Sequence, residues 1–298
     1  MKSNFRFPTP LAAFASLILM TPVHAVVSID YVNVGNAGNG SVAYSYRIGK
    51  YEVTNAQYAE FLNAKAGEDP NSLYSPNMPA YGITRNGSTG SFSYNVTGTL
   101  ANRPIAFISW FDAARFANWL LNGQGSGDTE TGAYTLNGAI AGIFYANPDA
   151  GIRLPTLNEW YKAAYYDPTK GGTGGYWEYP NRSNTITTAD ANYLGTASKD
   201  VGSYSGDPSY YGTFDQGGNV SEWNDQVVFG FLRGIWGGAY SNDQEHLRAA
   251  PNLLDINYTT TDNENSGQGF RLVSVPEPTT LVLTFFASGM ILARRRRM

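Results

Sequence analysis

Three stretches of the chain fall into helical spacing directly behind a pair of polar residues at positions i and i+3. Thr54 and Gln57 form the first pair, with Val53 and Tyr58 placed to staple the turn and Tyr58, Phe61 and Leu62 on one apolar face. Ser109 and Asp112 form the second and lead into Phe116, Ala117, Leu120 and Leu121. Thr156 and Glu159 form the third, followed by Trp160, Ala163 and Ala164. In each pair an N-cap hydroxyl and an N3 side chain answer N–H groups that a first helical turn leaves free, so the spacing predicts three helices with core-facing stripes. Elsewhere, short runs rich in Tyr, Val and Ile are broken by Gly, Asn, Asp and Pro, the pattern of loops and short strands. Residues 92–96, 133–136 and 270–273 are the expected strands. No repeat of solenoid period is present. The glycine run at residues 171–175 lacks the Lys-Ser/Thr ending of a phosphate loop and reads as a turn.

The two ends read differently from the body. Lys2 and Arg6, an apolar stretch at residues 11–20 and Val23-His24-Ala25 have the order of a secretory leader, giving a signal peptide over residues 1–25. At the other end, residues 275–298 hold Pro276, Glu277 and Pro278, then an apolar run at residues 281–293, then Arg294, Arg295, Arg296 and Arg297. An exported chain with a late apolar run and a basic end keeps its body outside and its arginines inside. The run is short of the roughly 20 residues a bilayer needs, so it serves as a transient anchor. This three-part ending resembles the PEP-CTERM sorting signal of bacteria. The resemblance implies recognition by an exosortase at the inner membrane, removal of the tail, and delivery to the cell surface or extracellular matrix. A plain membrane anchor is the alternative.

Composition narrows the chemistry of what lies between. Charged residues are 15% of the 298 and aromatic residues 14%, which favours a folded core with many turns over long charged helices. Once the basic ends are set aside the body is close to −9. With no basic stripe, nucleic acid is excluded as a partner. The chain has no cysteine and, outside the leader, one histidine, His246, which removes thiolate nucleophiles, Cys/His zinc sites and multi-histidine iron sites.

Six ordered blocks span roughly residues 29–273: Ile48-Gly49-Lys50-Tyr51-Glu52-Val53-Thr54-Asn55, Arg103-Pro104-Ile105 with Ser109-Trp110, Arg153-Leu154-Pro155-Thr156 with Glu159-Trp160, Gly218-Asn219-Val220-Ser221-Glu222-Trp223, Gly237-Gly238-Ala239-Tyr240 and Gly269-Phe270-Arg271. Together they resemble the sulfatase-modifying-factor family, whose namesake is the formylglycine-generating enzyme. The resemblance implies an irregular α+β domain with a C-type-lectin-like core over residues 26–274.

It also implies where chemistry would reside. The namesake holds copper through two cysteines shortly after a Gly-Gly-Ser-aromatic motif. Here Ala239 replaces the serine, and residues 241–247 carry no thiol. Soft Cu(I) is poorly served by oxygen donors, so copper is not expected. Relatives that add sulfur to histidine derivatives use several histidines, which His246 alone does not supply. Calcium suits the oxygen-rich composition. By resemblance, the side chains of Asn219 and Glu222 with the carbonyls of Gly218 and Val220 form one site. Asn192 and the Tyr193 carbonyl contribute to a second. The alternative is that Asn219 and Glu222 brace a turn. Residues 262–267 imitate the start of an EF-hand but place Val273 at the twelfth position, so a solvated turn is expected.

No carboxylate dyad or hydrolase triad stands out, and no catalytic residue is assigned. The sequence reads as a non-catalytic surface or matrix protein that recognises a ligand, either exopolysaccharide or a surface peptide. Trp236, Tyr240, Asn242, Asp243 and His246 are the candidate contacts, because aromatic planes and amides suit such ligands. An enzyme of divergent chemistry and a structural matrix component remain the alternatives.

Overall fold

The computed structural model describes residues 26–206, 208–249 and 258–276. The leader, Glu277, Pro278, the apolar run at 281–293 and Arg294, Arg295, Arg296 and Arg297 lie outside the described residues. In chain order the regular elements are β1 (Tyr31–Val34), β2 (Tyr46–Gly49), α1 (Asn55–Lys65), β3 (Ile83–Asn86), β4 (Ser93–Val96), α2 (Trp110–Leu121), β5 (Ile152–Arg153), α3 (Leu157–Tyr165), β6 (Tyr166–Asp167), β7 (Gly175–Tyr176), β8 (Ser221–Val228), β9 (Leu232–Trp236), β10 (Tyr258–Thr259), β11 (Gln268–Gly269) and β12 (Val273–Ser274). Among the described residues no helix is long and apolar enough to cross a membrane.

All three helices start where the polar pairs place them. Thr54, Ser109 and Thr156 are N-caps in extended conformation, and each closes a reciprocal capping box with Gln57, Asp112 and Glu159. Such caps contribute about 1 kcal/mol each. Their inward faces then meet. Phe61 of α1 packs on Phe116 and Trp119 of α2 at ring-centroid distances of 5.4 and 5.3 Å, and Phe116 meets Phe270 at 5.4 Å. Edge-to-face and tilted pairs at these separations each contribute roughly 0.5–1.5 kcal/mol beyond the burial of the rings.

The strands form two four-stranded sheets, ordered β1-β2-β12-β5 and β10-β9-β8-β11. The first is antiparallel throughout, whereas in the second β11 runs parallel to β8. Two expected strands differ from the pattern. Of residues 270–273 only Val273 lies in a strand, β12; residues 270–272 cross to it from β11, which belongs to the other sheet. Between them the carbonyls of Phe270 and Leu272 accept from the N–H groups of Val53 and Gly49 at 2.9 and 2.8 Å, outside either named ladder. Residues 133–136 form no strand. Tyr134 and Leu136 are buried about an exposed Thr135 as alternation requires, but the Asn118 side chain of α2 takes the place of a partner strand. It accepts from the Tyr134 N–H at 2.8 Å and donates to its carbonyl at 3.0 Å. The third expected strand, residues 92–96, appears as β4 one residue shorter.

Candidate functional site

Glu222 on β8 and Arg271, in the crossing between the sheets, form an ion pair with both side chains 0% exposed. Arg271 Nε donates to Glu222 Oε2 at 2.6 Å and Nη2 to Oε1 at 2.7 Å, a two-pronged fit. Trp160 Nε1 adds a bond to Oε2 at 2.7 Å. The guanidinium also reaches the carbonyls of Gly49, Lys50 and Phe214. Burial alone would lower the Arg271 pKa. The Glu222 carboxylate outweighs it and holds the guanidinium above its ordinary value.

A second layer of amides lies against this pair. Asn219 donates to Glu52 Oε1 at 3.0 Å and accepts from Asn192 Nδ2 at 3.1 Å and the Lys199 N–H at 2.9 Å. Its own N–H donates to the Asn192 carbonyl at 2.9 Å. Gly218 makes this approach possible: its φ is +90°, and a Cβ there would sit 2.4 Å from the Asn192 carbonyl oxygen. Glu52 is buried, and its Oε2 has no hydrogen-bond partner. Burial first, then the nearby Asp215 charge, pushes its carboxyl well above the usual range. Asp215 is itself raised to about 6, chiefly by burial, against the Gly202 N–H and Arg271.

Beyond β9 the chain turns through Gly237 and Gly238, at φ +94° and +69°, into the candidate ligand edge. Asp243 caps a short 3-10 turn (Gln244–Leu247), and its Oδ1 lies 2.8 Å from His246 Nδ1. Asn242 points back to accept from the Ala239 N–H at 2.7 Å. Tyr240 is 6% exposed, its hydroxyl 3.1 Å from Ser266 Oγ. Trp236 faces elsewhere, into the rings of Trp160 and Tyr161 at 6.3 and 6.2 Å. The structure therefore gathers Tyr240, Asn242, Asp243 and His246 on one turn and assigns Trp236 partly to the core. The sequence did not single out Phe107, which sits beside Tyr81 at 4.9 Å with a φ of +56°. Left-handed backbone in a bulky residue is strained and marks functional surfaces, and its N–H bonds the Asn265 carbonyl next to Ser266.

Residues 34–275 match the sulfatase-modifying factor enzyme 1-like domain. The chain belongs to this family. Its curated relatives include the hercynine oxygenases of Mycolicibacterium smegmatis, 28% identical over 191 residues, and Mycobacterium tuberculosis, 26% identical over the same length. Each match covers 60% of this chain but only 36% and 37% of the relative, so the chain spans little more than a third of their length. Among solved structures, CarF superposes with a TM-score of 0.54 at 24% identity, covering 85% of this chain and 100% of CarF. Treponema denticola variable protein 1 gives 0.55 at 20% identity, covering 86% of this chain and 98% of its own. These likenesses show the fold, a mixed α/β sulfatase-modifying-factor domain consistent with a C-type-lectin-like core.

In the sulfatase-modifying-factor domain of this chain the ordered sequence blocks converge on Glu222, Arg271 and Asn219. At the first expected calcium site the side-chain oxygens already accept hydrogen bonds. Both Glu222 oxygens are filled by Arg271 and Trp160, Asn219 Oδ1 is filled by Asn192 and Lys199, and Asn192 Nδ2 faces inward as a donor. Tyr193 is buried next to Asn192, the other residue expected at a second calcium site. Asn219 thus ties its turn to Asn192, Lys199 and Glu52, and Glu222 is tied to Arg271 and Trp160. Among the described residues no three acidic or imidazole side chains converge as metal ligands.

Proposed function

We propose that the chain is an exported, exosortase-sorted surface or matrix protein whose sulfatase-modifying-factor domain recognises a ligand and performs no oxidation. One observation carries the reading. The segment after Gly237-Gly238 contains no thiol and folds into a capped 3-10 turn in which His246 is tied to Asp243. A turn of this kind offers a carboxylate, amides and an imidazole above a buried tyrosine, chemistry suited to hydroxyl-rich ligands rather than to binding a soft metal. The ligand class is exopolysaccharide, and the contacts are Tyr240, Asn242, Asp243 and His246 with Trp236 at the margin. The hercynine oxygenases support the alternative of an enzyme, through iron chemistry that a lone histidine outside the leader does not supply.

The test is binding of the purified chain to the extracellular polysaccharide of the producing bacterium, measured by calorimetry. Saturable binding that falls at least about tenfold in Asp243→Asn or Tyr240→Ala supports recognition at this edge. Binding unchanged in both variants removes the edge as the site, and no binding removes exopolysaccharide as the ligand.

A further inference from the structure

We propose that the cavity beside the first turn of α2 binds a small organic cation, an alkylammonium group held among Asp112, Asp262 and Glu264 against the apolar wall of Phe111 and Ile140. This cavity, about 170 Å³, has those five residues and Arg115 in its walls. It is smaller than the roughly 300 Å³ at which sites for drug-sized molecules begin, so its ligand is a few heavy atoms long.

The charge of the wall decides the class of ligand. Asp112 is 2% exposed. Its Oδ2 is taken by the Ser109 N–H and hydroxyl at 2.8 and 2.7 Å, while Oδ1 has no hydrogen-bond partner among the described residues. Arg115 does not neutralise the wall. Its Nε and Nη2 are bound to Glu130 at 2.7 and 3.2 Å, and its Nη1 is sealed from solvent without a partner. Asp262 is exposed and makes no hydrogen bond to the described residues, and Glu264 lies half-buried beside it. The carboxyls are pushed upward, Asp112 to about 7 by burial against its Ser109 bonds, and Glu264 by burial, opposed by Ser75 and reinforced by Asp262 and Asp69. Three acids and a hydrophobic flank thus face one space whose lining cation, Arg115, is committed to Glu130. They do not converge as metal ligands, whereas an ammonium on a short alkyl chain satisfies the carboxylates and the Phe111–Ile140 flank together.

The full chain in mild detergent, titrated with n-butylammonium and followed by calorimetry, tests this directly. The expected result is saturable binding with a dissociation constant on the order of millimolar, given the few atoms involved, and no binding of n-butanol. Glu264→Gln, which caps no helix, should weaken binding roughly tenfold, and Asp112→Asn likewise if its helix cap survives. Glu245→Gln, whose side chain pairs with Arg248 and does not line the cavity, should leave it unchanged. Equal binding of n-butanol, a Glu264→Gln variant that binds like the wild type, or binding of calcium with none of n-butylammonium would each overturn the proposal.

Discussion

Glu222→Gln tests the scaffold at its centre. Glutamine keeps the shape of the side chain and one carbonyl oxygen, but it removes the charge facing Arg271 and replaces one of two acceptors with a donor. Arg271 Nε and Trp160 Nε1 share Oε2, and Nη2 uses Oε1, so either orientation of the amide strands at least one buried N–H. With both partners 0% exposed, breaking the pair from one side costs about 3–5 kcal/mol. Each kcal/mol moves the melting temperature of a domain this size by about 2–4 °C, so a fall of roughly 10 °C is expected. Urea denaturation and thermal melting of the full chain read the effect. The double variant Glu222→Gln/Arg271→Met removes the stranded cation and should recover at least about 1 kcal/mol. Because both Glu222 oxygens already accept from Arg271, wild-type melting curves in calcium and in chelator are expected to coincide. A variant within about 1 kcal/mol of wild type would refute the reasoning. So would a calcium-dependent rise in melting temperature that Glu222→Gln abolishes, since Glu222 would then be a ligand.

Stability should also fall as pH rises from about 5 to 8. Burial lifts Asp225 to about 6 against Arg233 and the Tyr134 hydroxyl, and lifts Asp112 to about 7. The folded state thus keeps protons that the unfolded state has released above about pH 4, and this contribution is lost as pH passes through the folded values. Asp225→Asn should flatten part of that slope in melting temperature against pH, and an unchanged slope would assign it elsewhere. Gly218→Ala should destabilise by more than about 1 kcal/mol in urea, because φ is +90° and the new Cβ meets the Asn192 carbonyl at 2.4 Å. A neutral result would mean that the turn relaxes freely. Replacing Pro276, Glu277 and Pro278 together by alanine should leave an uncleaved protein in the inner membrane. If fractionation finds it outside the cell with its tail removed, the sorting reading fails.

Local chemistry was legible and long-range pairing was not. The three capping boxes announce their helices because cap and N3 residue are three positions apart and need nothing else. The crossing at residues 270–272 was hidden because Phe270, Leu272 and Val273 say nothing about which strands answer their backbone groups. The missing strand at residues 133–136 has the burial of a strand but pairs with a side chain, Asn118, which no periodicity records. Glu222 and Arg271 stand 49 positions apart. Their blocks were visible as motifs, but the motif did not show that both carboxylate oxygens accept from the arginine. Asp112 was read only as a cap. Its free Oδ1 and the approach of Glu264 emerge only when the loop before Gly269 folds over α2.

The account holds that motif residues shared with an oxidising family form a scaffold here, while the edge that would carry the reaction holds no thiol. Aerobic incubation of the full chain with Cu(I) and a sulfatase-type cysteine peptide, followed by mass spectrometry of the peptide, tests this most directly. The account predicts a peptide of unchanged mass after many equivalents of copper and prolonged exposure to oxygen. Conversion of the cysteine to formylglycine over multiple turnovers would contradict it.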